Sequence, residues 1–229
     1  WNSLHGLYGD DAARTPCVSL DEIDGFSSMP PLAQYDAAIR QIARQAPIRI
    51  CPEERISGAA TLGAAIDYAV PAAYRGACLF PGVNHLTIRY DRVLKEGLEA
   101  YKRDITARLA ADGQETAFLR SLDNVVEALR VWHARYLDAV REEKPAVYRA
   151  LQRVPFAPAR NFLEAVQALW FIFAFVRLCG NWPGIGRIDW LLGDYLQKDL
   201  AAGVLTKPEA REILASFFIK GCEWIQSQP

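Results

Sequence analysis

The residues in this chain able to do chemistry are few, and one stretch concentrates them. Cys179 to Leu200 reads CGNWPGIGRIDWLLGDYLQKDL. Its turn carries Gly180, Asn181, Trp182, Pro183, Gly184 and Gly186, and then Arg187 and Asp189 two residues apart. Residues two apart in extended backbone face one side, so a guanidinium and a carboxylate there point together. Arginine offers a planar fork to a substrate carboxylate, or to Asp189 itself. Spacing alone leaves both readings open: the wall of a pocket, or a structural ion pair. The glycines form neither GxGxxG nor a Walker A pattern, so they mark no phosphate cradle.

The histidines and thiols are sparser. His85 follows FPGVN and precedes a long helical pattern. It reads either as a helix-start residue bonded to backbone or as a neutral imidazole meeting a substrate oxygen. His133 lies beside Trp132 within a helical run and reads as a core residue; His5 carries no signal. Cys179 falls where a helix ends, and the negative end of the dipole disfavours a thiolate there. It and Cys222 read as packing residues. With Cys17, Cys51 and Cys78 they make five cysteines without a CxxC pair. Neither a disulfide framework nor a zinc or iron–sulfur site is thereby signalled, and the thiols read as reduced in a cytoplasmic protein. No Ser-His-Asp order, HExxH or paired-carboxylate pattern is present.

The elements that must position these residues are helices. Residues 1–30 are rich in punctuators (Gly6, Gly9, Pro16, Gly25, Pro30) and read as an irregular arm. Residues 31–46 have helical spacing. Ile48, Ile50 and Ile56 predict a short strand and a turn to Gly58, and an Ala-rich helix follows, interrupted at Pro71. A single helix is predicted from Tyr90 to Ala111, closed by Asp112-Gly113, and another over 114–143, broken at Lys144-Pro145. A short helix reaches Gln152. Phe162–Leu178 is apolar on nearly every side, as in a helix buried within a larger body. Ile188–Ala202 ends at Gly203, and the last helix starts at Thr206, whose spacing from Glu209 is that of a capping box. No βαβ alternation appears, so a doubly wound nucleotide-binding sheet is excluded.

Bulk properties narrow the class further. The chain has 229 residues, 51% of them hydrophobic, enough to build a core. Its 26 basic and 27 acidic residues give a net charge of −1, with no basic stripe to call for nucleic acid or an anionic membrane. Ala168–Val176, the most apolar stretch, is far shorter than a bilayer span and is followed by Arg177. The chain begins at Trp1 and stops at Gln228-Pro229 just past a helical pattern. The expectation is a piece of a longer polypeptide.

Three blocks resemble a known family. The segment from Pro158 to Trp224 resembles the pyruvate formate-lyase-like domain of glycyl radical enzymes. Its family positions are Glu164, Ala165 and Gln167; Gly186, Arg187 and Asp189; and Asp199, Leu200, Gly203, Leu205, Thr206, Glu209, Ala210 and Lys220. NHLTIRYDRVLKEGLEAYKRDI resembles the family's histidine block, with His85 and Gly97-Leu98 on its positions, and IRICPEERISG resembles the strand-like segment before it.

The resemblance implies a mainly α fragment: the helical N-terminal portion of a ten-stranded β/α barrel, with a few short strands. Residues 1–30 would be an N-terminal arm and 31–229 the first part of the domain. In the family a radical-SAM activase makes a glycyl radical, which passes to a cysteine that attacks a small-molecule substrate. The family's C-terminal RVxGY motif is absent here, and its catalytic cysteine lies beyond the Gly-Arg helix. No catalytic residue is therefore expected in this chain, which would be inactive alone. No cofactor or metal is expected on it, and a homodimer is the assembly to test. Substrate-binding residues implied are Arg187, His85, Asn181, Trp182 and Asp189. The diol-dehydrating branch carries His-Ser where Asn181 and Trp182 stand, which argues for a different substrate. The alternative is a non-catalytic helical binding or scaffold module that keeps the family's outer fold.

Overall fold

A computed structural model describes residues 20, 22–46, 48–58, 86–111, 116–179 and 183–221. After a 3-10 turn (Phe26–Ser28), these contain eight α-helices. They are α1 (Pro31–Gln45), α2 (Tyr90–Glu96), α3 (Leu98–Ala110), α4 (Thr116–Val140), α5 (Pro145–Leu151), α6 (Phe162–Leu178), α7 (Ile188–Ala201) and α8 (Lys207–Gly221). The Ala-rich helix expected after Gly58 and the Asp112-Gly113 stop lie outside the described residues.

α6 is the axis of the molecule. The sequence surrounds it with apolar side chains on all faces, and the fold buries most of them, with Leu163 and Val176 partly buried. α2, α5, α7 and α8 pack directly on it, while α1 and α3 lie on α4. α4 joins the core through Trp132, whose ring lies 4.4 Å from Phe171 and 5.5 Å from Phe175 of α6. Fully burying side chains of this size contributes roughly 1.5–3 kcal/mol each.

Polar groups fix where α6 begins. Asn161 caps it, accepting from the Glu164 amide at 2.9 Å. The Glu164 carboxylate reaches back to the Arg160 amide at 2.8 Å and pairs with its guanidinium at 2.6 Å. Asp199 of α7 accepts from the Phe162 amide at 2.7 Å. The Phe162 and Glu164 amides of the first turn, which lack helical partners, thus find oxygen acceptors, as does the Arg160 amide just before the cap. At α8 the capping box forms as expected: Glu209 accepts from the Thr206 amide at 2.8 Å, and the Glu209 amide faces Thr206 Oγ1 at 3.4 Å. Gly203 takes a φ of +67°, as a helix-terminating glycine does.

The structure corrects two expectations. The helix predicted from Tyr90 to Ala111 is two helices, broken at Gly97, where φ is +74°. Here the chain crosses Phe156–Ala157 so closely that a Cβ on residue 97 would lie 2.2 Å from the Phe156 carbonyl oxygen. The first amides of α3, Leu98 and Glu99, donate to Pro155 and Phe156 at 2.9 and 3.1 Å instead. Helical periodicity runs unbroken across such a step, so only the glycine marks it.

The strand expected at 48–56 does not form. This segment has no neighbouring strand among the described residues and is held by side chains. Gln167 clasps the Ser57 peptide from both sides at 2.8 Å, and Trp170 Nε1 donates to the Gly58 carbonyl at 2.7 Å. Tyr136 meets the Arg49 amide at 3.3 Å. Lys220 of α8 reaches Glu54 at 2.8 Å, both side chains almost fully buried. In place of the few short strands expected, the described residues hold one isolated parallel bridge, Thr87 with Gly184.

Candidate substrate-binding site

That bridge builds the site. The Gly184 amide donates to the Leu86 carbonyl at 3.2 Å, tying the stretch that follows His85 to the turn that leads into Arg187. The two bridged stretches then enter two helices: Thr87 precedes α2 and Gly184 precedes α7. Gly186 turns the chain between them with φ +76°, and a Cβ there would meet Thr87 Cγ2 at 2.9 Å. A glycine is required at this position both for its dihedral and for the close approach.

Arg187 is the residue before the first turn of α7, and Asp189 lies in that turn. The guanidinium grips the carboxylate at both ends, Nε to Oδ1 at 2.8 Å and Nη2 to Oδ2 at 2.5 Å. The sequence expectation that the two point together holds, but the cause differs. Asp189 is helical, and Arg187 folds back over the start of α7, where the positive end of the helix dipole also favours the carboxylate. Both side chains are exposed, 78% and 64%. The hydrogen bonds from Arg187 hold the Asp189 carboxyl at about 2, below its ordinary value. The pair therefore stays charged throughout the neutral range, and among the described residues no acid group meets the guanidinium edge bearing Nη1.

His85, Asn181 and Trp182 lie outside the described residues. Leu86 and Pro183, the described neighbours of His85 and Trp182, flank the bridge on its two sides. Sequence reasoning missed the α2 side of this region. A cavity of about 290 Å³ opens beside Asp189, lined by Asp91, Leu94 and Lys95 of α2 and by Trp190, Asp194 and Tyr195 of α7. The Lys95 ammonium stands 5.6 Å over the exposed Trp190 ring. Residues 91–95 and 189–195 are a hundred positions apart, so no spacing rule joins them; the Thr87–Gly184 bridge and the Tyr195–Leu94 hydrogen bond do.

Other titratable candidates fall outside this region, as expected. His133 is buried, with Nε2 at 2.8 and 3.2 Å from the Leu151 and Val154 carbonyls. Burial lowers its pKa, so it is a neutral core imidazole donating from Nε2. Cys179 is buried and its thiol is pushed up by desolvation, away from thiolate chemistry. Arg177, two residues earlier, is also buried, and desolvation lowers its pKa to about 10. Cys222 lies outside the described residues. Among the described residues no group of three or more His, Cys, Asp or Glu side chains is placed to hold a metal ion, and no helix is long and apolar enough to cross a membrane.

Residues 68–228 match the family described as pyruvate formate lyase-like. This chain belongs to that family. Its members here are glycyl radical enzymes, and the match lies in the N-terminal part of the full-length proteins. The isethionate sulfite-lyase of Desulfovibrio desulfuricans is 30% identical over 159 residues, 59% of this chain and 19% of that protein. The chain thus spans about a fifth of the length of the curated relatives it matches. Among solved structures, one of 1,2-propanediol dehydration in Roseburia inulinivorans superposes with a TM-score of 0.73 at 21% identity, covering 92% of this chain and 37% of that one. The glycerol-bound B12-independent glycerol dehydratase of Clostridium butyricum gives 0.72 at 17% identity, over 97% and 40%. At these identities the likeness is one of fold.

The family positions divide into two kinds. Glu164, Gln167, Asp199, Gly203, Thr206, Glu209 and Lys220 all serve caps, clasps or buried pairs that hold α6, α7 and α8 together. Arg187 and Asp189 alone of the described polar positions face outward beside the bridge.

Proposed function

We propose that this chain is the N-terminal part of an anaerobic glycyl radical lyase or dehydratase that cleaves a C–C, C–O or C–N bond of a small polar metabolite. The thiyl-forming cysteine and the radical glycine would come from elsewhere in the parent polypeptide, so the chain is inactive alone. When installed by a radical-SAM activase, the glycyl radical supplies the hydrogen-atom abstraction. This chain supplies one wall of the pocket. Residues 1–30 would form an arm outside the domain, and the assembly would be a cytoplasmic homodimer.

The single observation that carries this reading is the Thr87–Gly184 bridge, which joins the segment after His85 to the turn before Arg187. Arg187 would orient an acid group of the substrate through its Nη1 edge, with Asp189 holding the guanidinium plane. His85 would face a substrate oxygen, while Asn181 and Trp182 would line the pocket, the indole adding an apolar wall. Isethionate is the substrate named for the lyase relatives; an acidic substrate of similar size fits an arginine wall better than a neutral diol does.

The test is spectroscopic. The full-length parent, treated anaerobically with its activase and a reductant, should develop the doublet electron-spin resonance of a glycyl radical. A parent that gains no radical signal under conditions where a family control does so contradicts the proposal.

A further inference from the structure

α7 carries Arg187 at its start, and most of its apolar packing is only partly buried. Leu192 and Asp199 are its buried side chains, and Leu192 alone is apolar. Ile188, Leu191, Tyr195 and Leu196 pack against the core only in part, and hydrogen bonds fix the register that such partial contacts leave loose.

Two buried or half-buried hydrogen bonds do so, and both lie well away from Arg187; a third, from the exposed Lys198 to the Arg160 carbonyl, is long at 3.4 Å. The Asp199 carboxylate accepts from the Phe162 amide at 2.7 Å in a buried setting. Asp199 sits in the last turn of α7, where its own helix dipole disfavours a negative charge. Nothing local rewards an aspartate there. The favourable partner is α6, whose N-terminus carries the orphan amide and the positive dipole end. The second bond is from the Tyr195 hydroxyl to the Leu94 carbonyl of α2 at 3.1 Å. The same carbonyl accepts the Ala159 amide at 2.9 Å, so α2, α7 and the approach to α6 meet at one oxygen.

We infer that Asp199 and Tyr195 are positioning residues, setting the place from which α7 presents Arg187 beside Thr87. This rests on the proposed pocket role of Arg187. From Arg187 to Asp199 is about 18 Å along the helix, so a tilt of roughly 10° about the Asp199 pin moves Arg187 by about 3 Å. That exceeds the tolerance of a substrate-orienting contact, for which about 1 Å already matters.

Hydrogen exchange in the 229-residue chain tests this, with the Gly184 amide reporting the site and the Leu129 amide reporting the core. Asp199→Ala should speed exchange at Gly184 about tenfold more than at Leu129, because the loss is local to α7 rather than global. Asp199→Asn, which keeps an oxygen acceptor, should restore most of the Gly184 protection. Tyr195→Phe, which removes one hydroxyl, should shift Gly184 in the same direction by less. If Asp199→Ala does not fold, the Asn and Phe variants decide. The inference is overturned if Gly184 exchange follows Leu129 in every variant that folds. No substrate enters this readout, so a failure of the Arg187 pocket role in the parent enzyme leaves the exchange result standing, and the two failures are distinguishable.

Discussion

Thr87 and Gly184 pair as a parallel bridge, and through that one contact two stretches almost a hundred residues apart become neighbours. One stretch follows His85; the other leads into Arg187. Each then enters a helix, α2 or α7, and the helices are tied again where Tyr195 meets Leu94. The bridge therefore sets the stretch before α2 beside the turn that leads into Arg187.

Gly186 is the weak point of that arrangement. Gly186→Ala forces an L side chain to φ +76° and places its Cβ 2.9 Å from Thr87 Cγ2. The expected cost is about 1–3 kcal/mol, with faster exchange at the Gly184 amide. Urea unfolding measures the first effect. A variant as stable as the parent chain would mean that the turn relaxes without the bridge.

The Arg187–Asp189 pair predicts a titration. The Asp189 carboxyl is held at about 2 by Arg187, against an ordinary value of 3.8. Its folded value is depressed, so the pair's contribution is present above the ordinary carboxylate range and is lost as pH falls through about 2. In Arg187→Ala the Asp189 carbon resonance should titrate at a higher pH, shifted toward the ordinary 3.8. An unchanged titration in that variant would show that the helix start, and not the guanidinium, holds the charge.

Glu54 and Lys220 form a pair with side chains 4% and 3% exposed. Lys220→Met leaves a buried carboxylate without its cation and should cost about 3–5 kcal/mol. The double variant with Glu54→Gln removes both charges and should recover much of that loss. Chemical denaturation of the two singles and the double checks the cycle; simple additivity would contradict a direct pair.

The helices were legible because their signals are local. The capping box at Thr206 and Glu209 and the all-apolar run of α6 are read within a few residues. The break at Gly97 was not, because its cause is the passage of Phe156–Ala157 fifty-nine residues further on. The segment at 48–58 read as a strand because Ile48 and Ile50 alternate, yet Gln167, Trp170 and Tyr136 supply its partners. At the site, the ion pair was legible from its spacing. The contribution of Lys95 and Asp91 was not, since it depends on where the bridge sets α2 against α7.

The central claim is that Arg187 is the substrate-orienting cation of a radical-enzyme pocket. Steady-state kinetics of the activated full-length parent carrying Arg187→Ala test it most directly. Loss of a charge-assisted hydrogen bond of about 1.5–3 kcal/mol should lower kcat/KM for an acidic substrate roughly tenfold to a hundredfold, with the glycyl radical content unchanged. Unchanged kinetics at equal radical content would contradict it.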